Sequence, residues 1–200
     1  EGVLIDNFKL VSSGKFLESE IHQLLGSGPY PSRNIKQNIA DLKAQVAAAE
    51  KGAKELLIII ERYGLDVVHA YMQHVQDNAE ESVRRILDVL EDTSFTYKMD
   101  DGHQVSVAIK VDKIRRCATI DFTGTSSQHP GNYNAPIAIC YAAVLYVFRC
   151  LIDEDIPLNS GCFKPLNITV PEMSMINPVY PAAVVAGNVE TSQYIVDALF

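Results

Sequence analysis

Between Ile35 and Tyr63, apolar residues return at alternating steps of four and three: Ile35, Ile39, Leu42, Val46, Ala49, Ala53, Leu56, Ile60 and Tyr63. That spacing keeps every member on one narrow stripe only if the whole segment is a single long helix. The run Gly26-Ser27-Gly28-Pro29-Tyr30-Pro31 breaks the chain before it, and Ser32 is placed to cap it. Gly64 ends it as a left-handed cap, and Asp66 stands where a cap for the next helix belongs. Val68, Met72, Val75, Ala79, Val83, Ile86 and Leu90 then give a second stripe. A connection this short makes the two helices antiparallel neighbours, so 32–92 reads as a helical hairpin. Glu50/Lys54, Glu80/Arg84 and Glu81/Arg85 stand four apart, as paired charges on outer faces do.

After residue 92 the period changes to two. Phe95, Tyr97 and Met99 alternate, then Val105, Val107, Ile109 and Val111, then Ala118, Ile120 and Phe122. Asp101-Gly102 and the region of Asp112-Lys113 supply the turns of an antiparallel meander. Ala135 to Ile152 reads as a helix buried between layers, since Arg149 and Pro136 interrupt its apolar run. A short extended start is expected over Val3–Ile5 and Phe8–Val11, strands at Leu166–Val170 and Ala183–Ala186, a helix over Glu18–Leu25, and a last helix after Gly187-Asn188. The fold class is therefore α+β: a long antiparallel helical hairpin over 32–92, with a mainly antiparallel sheet and a buried central helix in a mixed part over 93–200. The two ends, Glu1-Gly2 without a Met and Leu199-Phe200 in mid-pattern, read as those of an internal piece of a longer polypeptide.

Composition narrows function by exclusion. A 48% apolar and 21% charged chain is that of a folded domain, and a net charge of −8 with no basic block argues against nucleic acid or a membrane as partner. Four cysteines without a CxxC pair fit free thiols in a reducing cytosol. His69 and His74 are five apart, about 140° around a helix, which is not a metal-binding spacing. His22, His103 and His129 are isolated in sequence, so no metal site is expected. Cys140 and Cys150 sit on the apolar helix and read as small hydrophobes.

Two polar stretches remain. Asp121 to Asn134 joins a strand end to a helix start, where amides and hydroxyls can converge on an anion or a carbonyl oxygen. The same Thr, Ser, Asn and Gly residues are also what turns and caps require. It lacks the GxxxxGK[ST] pattern of a phosphate loop. Gly187 to Gln193 leads into a helix with Asn188, Glu190 and Thr191 at its start, which reads either as part of a site or as plain capping.

At these stretches the chain resembles the hydantoinase B/oxoprolinase family. The resemblance covers essentially all 200 residues. It is carried by Glu1-Gly2 with Phe8-Lys9-Leu10, by 38–45, by Tyr63-Gly64-Leu65-Asp66, by 118–125 and by Gly131-Asn132-Tyr133-Asn134-Ala135. Its most specific parts are 155–162 and 181–193. The family includes the B subunit of ATP-dependent N-methylhydantoinase, the C-terminal half of 5-oxoprolinase and an acetone carboxylase relative.

The resemblance implies a cytoplasmic, ATP-dependent, multi-subunit hydrolase that opens 5-oxoproline or hydantoin-type rings, paired with a hydantoinase A-type ATPase subunit or domain. ATP and a divalent metal belong to that full system. The family's metal motifs lie upstream of the part matched here, so this segment is expected to hold no cofactor and to be inactive alone. Loop position and motif density make Asp121 and Glu190 the candidate catalytic residues. Thr123, Gly124, Thr125, Asn132, Asn134, Asn188 and Thr191 are the candidate substrate-binding residues. An acetone carboxylase-like enzyme, or a mainly structural segment docking a partner subunit, stands as the alternative. Oligomerisation is expected. Nothing in the residues separates 5-oxoproline, hydantoins and ketones as substrates.

Overall fold

The computed structural model describes residues 3, 5–154, 156–157 and 159–200. Glu1, Gly2 and Leu4, and Asp155 and Leu158 of the 155–162 motif, lie outside the described residues. The chain divides into two compact units, 1–69 and 70–200.

In the first unit, β1 (Val11–Ser12) and β2 (Lys15–Phe16) form a small antiparallel hairpin. Its turn residues Ser13 and Gly14 both have positive φ, as a two-residue hairpin turn requires. Among the described residues of the extended start, only Val11 belongs to a strand. Next come α1 (Glu18–Leu25) and the 29-residue α2 (Ile35–Tyr63). Asn34, not Ser32, caps α2 by accepting the Gln37 amide proton at 3.2 Å; Ser32 bonds the Asn38 side chain instead. Ile21, Leu25 and Ile39 form the unit's core, with Phe8, Leu10, Phe16 and Leu42 packed around them.

Gly64 closes α2 at φ +86°, with its amide on the Ile60 carbonyl. Helix α3 (Leu65–Val89) starts at once, so Asp66 lies in its first turn rather than at its cap. The expected seam is not buried along its length. Of the stripe, Ile39 is buried, Ile35, Leu42, Val46, Leu56 and Ile60 are half-buried, and Ala49, Ala53 and Tyr63 are exposed; Leu57, Ile58 and Ile59, which lie off the stripe, are also about half exposed. An apolar stripe requires a cover but does not specify one.

In the second unit the sheet order is β3-β4-β5-β6, from Thr93–Lys98, Gln104–Asp112, Cys117–Asp121 and Leu166–Thr169. The first three strands are the expected antiparallel meander, and β6 runs parallel to β5. One face of β4 and β5 buries Val105, Val107, Ile109, Ala118 and Ile120. The same core takes Ala79, Val83 and Leu87 of α3, Val144 and Phe148 of α4 (Ile137–Leu151), and Ile195 of α5 (Ser192–Leu199). Full burial of each Val, Leu, Ile or Phe among these contributes roughly 1.5–3 kcal/mol. The outer face of α4 exposes Ile137, Tyr141, Tyr146 and Leu151, so this helix is one-sided rather than enclosed between layers. Residues 183–186, expected as a strand, form a turn that leads into a π-helical turn, Gly187–Thr191. The α+β class holds throughout.

Candidate functional site

The β3–β4 hairpin turns at Asp100-Asp101-Gly102, with Gly102 at φ +88°. Asp101 makes the turn in the usual way: its Oδ1 accepts the His103 backbone N–H at 3.0 Å. Its second oxygen is not needed for the turn. Oδ2 lies 3.0 Å from His129 Nε2 and 3.1 Å from His103 Nδ1. The His103 contact is close without being aligned, and that buried Nδ1 makes no hydrogen bond of good geometry. The His103 amide, followed by the two imidazoles against an opposing burial effect, holds the Asp101 carboxyl below the ordinary carboxylate value.

His129 arrives on the long loop after β5, which the Asn134 side chain ties together. That carboxamide is fully buried. It accepts the His129 amide proton at 2.7 Å and donates to the carbonyls of His129, Gly131 and Ala183 at 2.9, 3.1 and 3.0 Å. The Ala183 bond reaches the segment before the π-helical turn. Two more join it there: Ala186 N–H to the Asn132 carbonyl, and the Thr191 hydroxyl to the Tyr133 carbonyl. Gly187 is required at this junction, because a Cβ would lie 2.3 Å from the Asn134 carbonyl oxygen.

Three segments distant in sequence therefore meet around a cavity of about 140 Å³ lined by Met99, Asp100, Asp101, Tyr133, Glu190 and Tyr194. Burial, then the charges of Asp100 and Glu190, push the Tyr194 phenol upward. The Tyr133 ring stands edge-on to His129, 5.3 Å between centroids. A larger groove of about 310 Å³ runs between α4 and α5, lined by Ile139, Ala142, Ala143, Tyr146, Asn188, Ser192, Gln193 and Val196.

The expected site residues fall into separate groups. Glu190 lines the acidic cavity, and Asn132, Asn134 and Thr191 build the junction beneath it. Asn188 lines the α4–α5 groove. Asp121 lines neither cavity. Its Oδ1 accepts the Thr123 hydroxyl at 2.6 Å and the Thr123 amide at 2.9 Å, and these bonds hold it below the ordinary carboxylate value. Gly124 and Thr125 dock on β4: the Gly124 carbonyl accepts Gln104 Nε2, and Thr125 Oγ1 accepts the Ser106 amide. Asp101, His103, His129, Tyr133 and Tyr194 are not among the site residues that the sequence points to. The one signal was a histidine just after an Asp-Gly turn.

Among the described residues, Asp101, His103 and His129 bring three potential metal-ligand atoms within 4.8 Å of one another. The donor set does not fit a metal. A ligating histidine gives its second ring N–H to an acceptor. Here His129 Nδ1 instead accepts the Gly131 amide proton at 2.8 Å. The remaining proton must sit on Nε2, the atom that would have to ligate.

The fold and these loops have counterparts among known proteins. The family model for hydantoinase B/oxoprolinase matches residues 1–200, and the chain belongs to that family. It is 42% identical over its whole length to the 5-oxoprolinase PfmaA of Pestalotiopsis fici, of which it covers 16%. It is 41% identical over its whole length to 5-oxoprolinase 1 of Arabidopsis thaliana, of which it covers 18%. The chain thus spans less than a fifth of the length of these relatives. The crystal structure of the ATP-dependent caprolactamase from Pseudomonas jessenii shares the fold, with TM-score 0.78 and 22% identity over 98% of this chain and 34% of that one. No helix among the described residues is long and apolar enough to cross a membrane.

Proposed function

We propose that this chain is a segment of an ATP-dependent hydrolase that opens cyclic amides of the 5-oxoproline or hydantoin type. The observation that carries the reading is the alignment of the entire chain with proteins named as 5-oxoprolinases at about 40% identity. In this reading ATP and the divalent metal belong to other parts of a cytoplasmic enzyme, with phosphorylation assigned to a hydantoinase A-type ATPase partner. The segment contributes one wall of the substrate site and does not turn over substrate alone. Glu190 and the backbone junction of Asn132, Asn134 and Thr191 are its best-placed elements. Asp121, with Thr123, Gly124 and Thr125, shapes the loop entrance, and Asn188 belongs to the adjoining groove.

A second reading, partner docking, is favoured by one observation: the exposed Leu57, Ile58, Ile59 and Tyr63 on α2. The two readings are compatible.

The test is to assay the full-length parent with its ATPase partner on 5-oxoproline, hydantoins, lactams and ketones plus bicarbonate. The expected result is ATP-dependent ring opening. Carboxylation of a ketone without any ring opening refutes the proposal in favour of the carboxylase alternative.

A further inference from the structure

The Asp101–His129 contact exceeds what either local structure needs. The hairpin turn is completed by Asp101 Oδ1 alone, and the 129–134 loop is already anchored by Asn134. Yet His129 is fixed at both ring nitrogens. Gly131 donates to Nδ1, and Nε2 lies 3.0 Å from Asp101 Oδ2. With Nδ1 accepting from Gly131, the N–H that faces Asp101 is the one on Nε2. The approach is so close that a Cβ on residue 131 would stand 2.9 Å from His129 Cε1. The His129 side chain is 13% exposed, and Tyr133 covers one edge.

A histidine with no free ring nitrogen cannot exchange protons with a ligand. What it can do is aim its neighbour. Asp101 reaches the 140 Å³ cavity that Glu190, Tyr133 and Tyr194 also line. We propose that His129 is a positioning residue: locked as the Nε2–H tautomer by the Gly131 amide, it holds the Asp101 carboxylate at the cavity as an acceptor for N–H groups of a bound ligand. The identity of that ligand rests on the function proposed above. Hydrolysis of a lactam such as 5-oxoproline adds water across the C–N bond and leaves a carboxylate and an amine, which takes up a proton; a hydantoin leaves a carboxylate and a neutral ureido group, which still offers N–H donors. An ammonium beside Asp101 and Glu190, with tyrosine rings around it, meets acceptors and π-faces rather than competing donors.

Two substitutions separate this from a purely structural role. Gln at 129 puts an amide N–H about where Nε2 stands, keeping the donor to Asp101 and losing the acceptor for Gly131. Asn puts its oxygen about where Nδ1 stands, keeping Gly131 satisfied and losing Asp101. The Asp101 carboxyl, followed by ¹³C NMR, should titrate nearly as in wild type in His129→Gln. It should titrate measurably higher in His129→Asn. Equal shifts, or the reverse order, overturn the proposal. The ring-nitrogen spectrum is readable because the chain has five histidines; a proton found on His129 Nδ1 overturns it as well. In the full-length parent, the acid limb of kcat/KM should move upward in His129→Asn and stay in place in His129→Gln. If the parent opens no cyclic amide, the functional reading fails while the two NMR measurements still decide the role of His129.

Discussion

Asn134 offers the sharpest energetic test of the junction beneath the cavity. Asn134→Ala removes one accepted and three donated contacts from a carboxamide with 0% exposure. Two protons serve three carbonyls, so the contacts amount to about three full bonds. A neutral hydrogen bond contributes about 1 kcal/mol net, and an orphaned buried group costs roughly 1–3 kcal/mol. The exposed Gly131 carbonyl can turn to water, whereas the His129 amide cannot easily do so. The expected loss is about 2–4 kcal/mol, or roughly 5–15 °C in Tm for a chain of this size. Asn134→Asp keeps the shape but turns the donor into an acceptor facing three carbonyl oxygens. At pH 7 it should be at least as damaging. Its carboxyl would be pushed above the ordinary carboxylate value in the fold, so its deficit should shrink as pH falls towards about 4 and both states become protonated. Urea unfolding at pH 7 and pH 4 measures both effects. A deficit below about 0.5 kcal/mol for Asn134→Ala, or an Asp variant as stable as wild type at pH 7, would refute the reasoning.

Three further outcomes follow from the geometry. Gly187→Ala forces backbone apart at Asn134 and Ala135, and should cost at least the roughly 1–3 kcal/mol of ordinary overpacking, whereas Gly52→Ala, with open space around its Cβ, should be neutral or stabilising by urea melts. Arg116 bonds both Asp88 and Glu81, and the Asp88 carboxyl lies below the ordinary value chiefly through that bond. Lowered carboxyls stabilise fully above about pH 4 and lose that contribution as pH falls through their folded values, so Arg116→Gln should melt lower at pH 7 and converge on wild type by about pH 2. Burial pushes the Cys140 thiol up to about 12, while Cys150 is exposed; a thiol reagent at pH 8 should modify Cys150 first and Cys140 only on unfolding, which mass spectrometry will resolve.

The limits of the sequence can be placed at particular residues. Periodicity fixes type, because a four-three spacing over Ile35–Tyr63 has no solution but a long helix, and alternation over 95–122 none but strands. It does not fix the cover. The stripe on α2 leaves Ala53 and Tyr63 exposed, Leu57 and Ile59 beside it are exposed too, and the run 135–152 gives no warning of the outward Tyr141 and Tyr146. Local chemistry misjudged caps where two residues competed: Asn34 took the duty assigned to Ser32.

The candidate site divides in the same way. Asn132, Asn134, Glu190 and Thr191 were legible because polar residues crowd where a strand or turn feeds a helix. Asp101, His103 and His129 were not, since a ring nitrogen and a carboxylate 28 residues apart in sequence meet only through the β3–β4 turn and the fold of the following loop. Local sequence sets backbone conformation over a few residues, and so it determined the elements and the family resemblance. Which carboxylate faces which cavity, and which nitrogen of His129 faces Asp101, depends on hydrogen bonds between segments that have no local preference for each other. Only the tertiary structure decided those.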